Sequence, residues 1–174
     1  MKKTPFIISL ICALSFLFSI TALAQTSPLG ETKISFEQAI EIATNKVGGG
    51  SINEIEWKRK YQMFIYEIEI YNDGIKHEVN IDAVTGEIIK FKSKWSKYPK
   101  LSNDFSATHV TSNRAIEFAK IALSNAGGGT ITKIEWERKY GQLVCEIEIR
   151  NNWRKHKVTI DAETSKIIRV KSGD

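Results

Sequence analysis

The sequence predicts an α+β protein made of two tandem repeats, each with one N-terminal helix packed on a small antiparallel sheet of three to four strands. The first observation is an internal duplication: GGGSINEIEWKRKY, which begins at Gly48, returns as GGGTITKIEWERKY at Gly127, 79 positions later. Residues 48–90 and 127–169 align without a gap and are identical at 24 of 43 positions. The second observation is that the apolar period of each copy changes once, from helical to alternating.

The first 24 residues have the organisation of a secretory signal peptide. Lys2 and Lys3 form a short positive region, residues 6–20 are almost entirely apolar, and Ala22 and Ala24 are small residues at the positions that a signal peptidase reads. We expect cleavage after Ala24, which would make the product a secreted protein, extracellular or periplasmic. An uncleaved anchor is the alternative, but the apolar run is short for a membrane span of about 20 residues. We expect no transmembrane segment after cleavage.

The expected mature chain, residues 25–174, contains one cysteine, Cys145, so disulfides do not stabilise this exported protein. Each repeat then depends on its own apolar core. Repeats of about 60 residues are marginal alone, because small domains bury a smaller fraction of their surface. We therefore expect the two domains, residues 33–94 and 110–171, to pack on each other in a monomer, with a linker over residues 95–109.

Each repeat begins with a short amphipathic helix. In the first copy, Ser35 is the expected N-cap and Gln38 completes a capping box. The apolar residues that follow lie at helical spacing on one face: Phe36, Ala39, Ile40, Ala43 and Val47. Glycine accepts the left-handed conformation at a helix C-terminus, so the triple glycine ends this helix. The second copy repeats the pattern from Thr111 with three more residues before its glycines, and its helix presents Ala115, Ala119, Ala122 and Ala126 on one face.

The segments after each triple glycine alternate with the period of a strand. In the first strand Ile55 and Trp57 oppose charged residues, and later strands place further apolar residues on the same face: Phe64, Tyr66, Ile68, Ile70, His77, Val79 and Ile81. A hairpin turn is expected at Asn72-Asp73-Gly74, and a second turn at Thr85-Gly86 before Ile88. The repeat is therefore one helix against an antiparallel sheet.

Each repeat resembles a PepSY domain. The resemblance rests on the order of an alanine-rich helix, a first strand, and the motifs YEIEI, HEVNIDA and TGEII in the first copy. The second copy matches with CEIEI and HKVTIDA, but its closing turn is TSKII, with Ser165 in place of glycine. If this position needs a positive φ, serine is strained there.

The resemblance implies a non-enzymatic exported module. PepSY domains occur in the propeptides of thermolysin-type metallopeptidases, where the propeptide inhibits its protease and helps it to fold. They also occur as stand-alone secreted or membrane-anchored proteins, and the shared role proposed for them is control of peptidase activity at the cell surface. By this resemblance we expect a protein that modulates, by inhibition, a secreted or envelope peptidase. We expect no catalytic residue, no metal site and no cofactor.

The residues themselves give catalysis no support. The chain has no HExxH motif. Carboxylates two residues apart would suit acid–base chemistry of the glycosidase kind, but no apolar pocket is evident, and lysines such as Lys58 or Lys76 can balance them. These carboxylates are Glu67, Glu69, Glu146 and Glu148. One histidine per repeat, His77 and His156, fits a half-buried strand position better than a metal site.

The remaining residues with chemical potential are expected to be structural. Cys145 takes the inward place of Tyr66, which favours an inert core thiol over a reactive one. Trp57 and Trp136 alternate with isoleucine, which favours core packing over a platform for sugar or peptide.

The first hairpin of each repeat carries a candidate partner surface. Neither helix capping nor core alternation requires the corner that follows each tryptophan, which consists of Arg59, Lys60, Tyr61, Arg138, Lys139 and Tyr140. Turns are free to change after a duplication, so retention of this corner suggests contact with an acidic partner. Recent duplication is the other explanation.

A second candidate surface is the segment that begins at Lys90 and ends at Lys100. It interleaves lysines with aromatic residues and includes Lys92, Lys94, Trp95, Lys97 and Tyr98. One interpretation is the outer face of a strand that ends near Trp95 and protects a sheet edge. The alternative is an envelope-binding module that contacts anionic polymer or lipid headgroups. Nucleic acid is not an expected partner, because the mature chain would carry only 23 Lys and Arg against 20 Asp and Glu.

Overall fold

The computed structural model describes residues 33–96 and 111–173, which form two helices and eight strands. Helix α1 spans Phe36–Val47 and helix α2 spans Ser112–Ala126. The strands are β1 Ser51–Lys60, β2 Met63–Asn72, β3 Ile75–Asp82, β4 Ile88–Trp95, β5 Thr130–Lys139, β6 Gln142–Asn151, β7 Arg154–Asp161 and β8 Ile167–Gly173. Every neighbouring pair is antiparallel, in the order β4-β3-β2-β1-β5-β6-β7-β8. The predicted α+β class is confirmed.

The strands form one continuous sheet rather than the two small sheets that the repeats predict. β1 and β5 pair edge to edge at three positions: Glu54↔Glu135, Ile55↔Ile134 and Glu56↔Lys133. If the repeats stood apart, each would leave its first strand as an open edge with unpaired backbone groups. The pairing satisfies part of both edges, so each copy contributes four strands to a shared eight-stranded sheet.

The helix ends follow the sequence prediction. Ser35 Oγ accepts a hydrogen bond from the Gln38 N–H at 3.2 Å, and the Gln38 side chain accepts one from the Ser35 N–H at 2.8 Å. Thr111 caps α2 through a 3.4 Å bond from the Arg114 N–H. The three extra residues of the second copy lengthen its helix, which has 15 residues against 12 in α1.

The triple glycine has two structural functions. Gly48, Gly49 and Gly50 all have positive φ, at 84°, 108° and 114°, a run that residues with side chains rarely adopt. A Cβ on Gly50 would lie 2.5 Å from the carbonyl oxygen of Tyr71 in β2. The glycines therefore end the helix and also let the chain pass directly against the sheet. The second copy repeats this geometry at Gly129, where an added Cβ would lie 2.6 Å from the carbonyl oxygen of Arg150.

Both helices pack on one face of the sheet, and a single apolar core lies between them and the strands. The predicted alternation is confirmed, because the core is formed by alternate strand residues that include Ile55, Ile68, Val79, Ile134, Ile147 and Val158, all fully buried. The helices also contact each other, with Thr44 Oγ1 2.9 Å from Ser112 Oγ. The opposite face of the sheet carries the charged residues.

Two predicted turns have the expected backbone. Asp73 and Gly74 join β2 to β3 with φ of 49° and 75°, as a two-residue hairpin requires. Ser165 has φ 59°, where the first copy has Gly86 at 79°, so the predicted strain is present. Its hydroxyl accepts a hydrogen bond from Arg114 Nη1 at 3.0 Å, which helps to hold the turn.

Some sequence predictions fall outside the described residues. These are the signal peptide over residues 1–24, its cleavage site, and the linker beyond Ser96 up to residue 109. Trp95, at the predicted linker's start, is the last residue of β4. No helix in the described ranges is both long and apolar enough to cross a membrane.

Candidate functional site

The corner in the first repeat lies at the tip of the β1–β2 hairpin. Tyr61 and Gln62 form the turn with φ of 50° and 66°, and the Tyr61 side chain is 85% exposed. The Arg59 guanidinium lies 5.8 Å from the ring centre of Phe64, which stacks on Trp57 at 4.9 Å. An exposed aromatic ring and an arginine thus share one end of the hairpin.

The corner in the second repeat makes more internal contacts. Tyr140 is fully exposed with φ 52°. Arg138 Nη1 donates a 2.7 Å hydrogen bond to the carbonyl oxygen of Gly141. Lys139 forms ion pairs with Glu137 at 2.9 Å and with Glu146. These bonds give Arg138 and Lys139 structural uses that the sequence pattern does not indicate.

The two corners lie at opposite ends of the sheet, because β1 and β5 run antiparallel. The end that holds Tyr61 also holds the β6–β7 turn, where Trp153 is 92% exposed with φ 69°. Sequence reasoning missed Trp153, although one signal was present: it occupies the place of Gly74 in the first copy, a glycine position of a hairpin turn. The structure therefore brings together Tyr61 and Trp153, not Tyr61 and Tyr140, at one end.

A cleft of about 590 Å³ opens at this same end, where β1 and β5 diverge beyond their three paired positions. We call it the seam cleft. Its lining comes from both repeats: Glu56, Trp57, Lys58, Arg59, Phe64, Thr132, Lys133, Glu148, Arg150 and Lys155. Five of these side chains are cationic and two are carboxylates.

The charged face of the sheet is an ion-pair ladder. Lys58 Nζ lies 2.7 Å from Glu56 and 3.1 Å from Glu67, and Lys76 pairs with Glu69. Across the β1–β5 seam, Lys133 Nζ lies 2.8 Å from Glu54 and 2.9 Å from Glu135. The balancing of Glu67 and Glu69 by cross-strand lysines, which the sequence predicts, is confirmed.

Burial and pairing act in opposite directions on the pKa of Lys133. Burial alone would lower its pKa, but the hydrogen bonds and charges of Glu54 and Glu135 outweigh burial and raise it above the ordinary value. Lys133 therefore stays protonated at the centre of the seam and links the two repeats electrostatically.

Glu146 is the most enclosed carboxylate of the ladder. Its side chain is 10% exposed and pairs with Lys139 and, at 3.1 Å, with Lys157. Burial alone would raise its pKa, but hydrogen bonds from these lysines outweigh burial and lower the pKa to about 2. A carboxylate with this pKa is ionised at neutral pH and is a poor general acid.

The repeated histidines have a structural partner in each copy. His77 Nδ1 shares a 2.9 Å hydrogen bond with Ser93 Oγ, and His156 Nδ1 shares one of 3.0 Å with Ser172 Oγ. Cys145 is fully buried, and burial raises the pKa of its thiol, as expected for a core residue. Residues 33–96 and 111–173 contain no group of three or more His, Cys, Asp or Glu placed to hold a metal ion.

The second candidate surface lies on β4, the outer strand of the first repeat. The strand ends at Trp95, as predicted, and the Trp95 side chain is 76% exposed. Lys92 and Lys94 are exposed on the same strand. Lys97 and Tyr98, which belong to the same candidate surface, lie outside the described residues.

Comparison with protein families finds a match to PepSY, described as the peptidase propeptide and YPEB domain, over residues 33–92 and 119–171. Together these matches cover more than half of the chain. A comparison with curated proteins gives no match.

Two solved structures are similar to the chain. One is a candidate lipoprotein from Clostridium difficile 630, with 19% identity and a TM-score of 0.50, covering 83% of this chain and 97% of that chain. The other is the YpmB protein from Bacillus subtilis, with 18% identity and a TM-score of 0.30, covering 80% of this chain and 98% of that chain. At 19% identity, the similarity to the first structure concerns the fold alone.

Proposed function

The chain belongs to the PepSY family, and from this premise we propose that it is an exported, non-enzymatic interaction protein that inhibits a secreted or envelope peptidase. Export is supported by the positive, apolar and small-residue regions of residues 1–24. The two PepSY domains in tandem, over residues 33–94 and 110–171, would be exported together.

The state of the reactive groups supports a role without catalysis. The carboxylates of the charged face are held in ion pairs with lysines, as at Glu67 and Glu146. The Cys145 thiol is buried and its pKa is raised, so little thiolate is available as a nucleophile.

One observation carries the partner surface. Both repeats place a tyrosine at the first turn position of the β1–β2 or β5–β6 hairpin, with φ of 50° at Tyr61 and 52° at Tyr140. Asparagine or glycine is preferred there, because a side chain with a bulky ring is strained at positive φ. Both rings are exposed, so they contribute little to the core. Strained, exposed aromatic residues at a turn are typical of contact surfaces rather than of folding requirements.

The test replaces both tyrosines by asparagine, which the turn accepts. Residues 25–174 should slow hydrolysis of a peptide substrate by a purified thermolysin-type metallopeptidase. The Tyr61→Asn, Tyr140→Asn variant should lose at least about tenfold in inhibitory potency, since aromatic contact residues commonly account for this much binding. Its melting temperature should stay equal or rise, because asparagine relieves the backbone.

Asp73→Asn is the matched control, since Asp73 holds the same turn position in the β2–β3 hairpin with φ 49°. It should retain full potency. If the wild-type chain leaves the peptidase unaffected, peptidase inhibition is wrong. If the double variant inhibits like wild type, the tyrosine tips are not the contact surface.

A second candidate function is binding to an anionic envelope surface through β4. The observation that favours it is Trp95, which is 76% exposed beside Lys92 and Lys94 on an outer strand. Aromatic residues interspersed with lysine anchor proteins at anionic lipid surfaces. Wild-type protein would then sediment with phosphatidylglycerol vesicles and not with phosphatidylcholine vesicles. Lys92→Gln, Lys94→Gln, Trp95→Ser would abolish sedimentation, and absence of wild-type sedimentation would exclude lipid.

A further inference from the structure

We propose that the seam cleft binds an acidic, extended peptide segment of a partner protein. The inference rests on the proposed function, because it names the surface and the chemistry that would hold the partner. It goes beyond the hairpin tips, since the cleft is formed jointly by the two repeats and exists in neither alone.

The first argument is the free strand edge beside the cleft. β1 pairs with β2 along its whole length, but its pairing with β5 stops at Glu56. Residues 57–60 continue past that point, and no strand in the described part of the chain pairs with them on the β5 side. An exposed edge of this kind accepts an extended peptide through main-chain hydrogen bonds, while side chains nearby give specificity. The cleft therefore favours an extended chain over a compact ligand.

The second argument is the charge of the lining. Lys58, Lys133 and Lys155 already have carboxylate partners. Arg59 and Arg150 are both exposed, and within residues 33–96 and 111–173 neither forms an ion pair. The two arginines come from different repeats, and both are among the residues that line the cleft. Guanidinium groups bind carboxylates through paired hydrogen bonds, so two unpaired arginines favour an acidic occupant.

The third argument is a comparison within the molecule. The positions 79 residues away from each lining residue lie at the other end of the seam, where β5 and β1 diverge in the same way. That end has two cationic side chains, Arg138 and Lys76, and four carboxylates: Glu54, Glu69, Glu135 and Glu137. Lys58 of the cleft corresponds to Glu137, and Arg150 corresponds to Tyr71. Since the repeats began alike, substitutions have made one end of the seam positive and the other negative.

Aromatic side chains also lie at the positive end of the seam. Trp57 lines the cleft, and its indole N–H is buried with no acceptor among the described residues. Trp136 has the same open donor at the negative end, so charge decides which end an acidic peptide occupies. Tyr61 and Trp153 stand exposed on the hairpin tips at the positive end. An acidic strand that enters the cleft would pass between these tips.

The experiment uses residues 25–174 and a seven-residue, end-blocked peptide that alternates glutamate with valine. Titration calorimetry should detect binding, and NMR shifts should change most at residues 57–60 and 130–133. Binding should weaken as salt rises, because salt screens exposed charges. A control peptide of the same length, with lysine in place of each glutamate, should not bind.

Arg59→Gln, Arg150→Tyr is the decisive variant, because neither change breaks an ion pair and tyrosine is the residue of the first copy at the position of Arg150. It should bind the glutamate peptide at least about tenfold more weakly, in keeping with the loss of two charge-assisted contacts. Arg169→Gln, Lys171→Gln removes the same charge from exposed sites on β8, outside the cleft, and should bind normally. Thermal melts should show that both variants fold.

The outcomes separate this inference from the proposed function. If the glutamate peptide does not bind, or binds equally to both variants, the cleft is not an acidic-peptide site, even where the chain inhibits a peptidase. If the peptide binds at the cleft while the peptidase is unaffected, the cleft stands and peptidase inhibition fails.

Discussion

Glu67 and Glu146 occupy equivalent positions in the two repeats, yet their surroundings differ. The Glu67 side chain is 28% exposed and pairs with Lys58, whereas that of Glu146 is 10% exposed and pairs with two lysines. Thr159 donates a further bond to Glu146 at 3.3 Å. At the position of Thr159 the first copy has Asn80, whose side-chain oxygen has no partner in the described part of the chain. The same residue type at equivalent positions of the two repeats therefore does not imply an equal contribution to stability.

The first prediction compares these two carboxylates. Glu146→Gln should lower the free energy of unfolding by about 2 kcal/mol, between the effects typical of exposed and buried ion pairs. Glu67→Gln should change it by less than about 0.5 kcal/mol, because that pair is more exposed to solvent. Urea denaturation at neutral pH measures both. Equal effects would show that the extra partners of Glu146 add no stability.

The advantage of Glu146 should also depend on pH. Its pKa falls from an ordinary 4.5 to about 2 in the folded protein. The unfolded chain binds this proton more readily, so the contribution is complete above about pH 5 and is lost as pH falls towards 2. The stability difference between wild type and Glu146→Gln should shrink over that window. A difference that is constant from pH 7 to pH 3 would contradict the low pKa.

At the scale of the elements, the triple glycine is the joint between each helix and its sheet. Gly49 and Gly50 have similar φ, 108° and 114°, but different surroundings. A Cβ on Gly49 would meet nothing within 4 Å, whereas one on Gly50 would lie 2.5 Å from a main-chain oxygen that cannot move alone. Strain at positive φ and steric exclusion can therefore be separated at neighbouring positions.

The second prediction follows from that contrast. Gly49→Ala should cost about 1–3 kcal/mol from backbone strain alone. Gly50→Ala should cost more than this, since the helix must also move away from β2. Thermal or urea unfolding compares the two variants, with Gly128→Ala and Gly129→Ala as replicates in the second copy. If alanine at position 50 is no worse than at position 49, the close approach to Tyr71 is not a constraint.

At the scale of the whole molecule, the seam makes the two repeats one folding unit. Ile55 and Ile134 pair across it, both fully buried, and the core is continuous from one repeat to the other. Contact between α1 and α2 joins the repeats on the helical side as well. A destabilising substitution in one repeat should therefore also lower the stability of the other.

The third prediction tests this coupling. Ile147→Ala, a change in the second repeat, should lower the free energy of unfolding by about 2–5 kcal/mol. The loss should appear as a single calorimetric transition, with hydrogen exchange accelerated equally in β2 and β6. Ile168→Ala, at a 52% exposed site, is the control and should cost less than about 1 kcal/mol. Two separate transitions in the Ile147→Ala variant would show that the repeats unfold independently.

Local features of this protein could be predicted from sequence because their causes are local. The capping box at Ser35, the left-handed glycine at Gly48 and the Asp73-Gly74 turn each depend on a few neighbouring residues. The buried face of each strand was predictable too, since apolar and polar residues alternate within the sequence of a single strand. The ion pairs of Lys58 and Lys76 followed from adjacent strands of the same repeat.

The sequence by itself determined the duplication, the helix ends, the turn positions and the buried face of each strand. Only the tertiary structure decided that β1 pairs with β5 and that a positive cleft forms between the repeats. It also decided that Tyr61 lies at the same end of the sheet as Trp153, and not at the same end as Tyr140. The physical reason is that strand edges look alike in sequence: backbone N–H and C=O groups are the same at every residue, so pairing between distant strands leaves no pattern. Which charged residues become neighbours at the seam is therefore decided only when β1 pairs with β5.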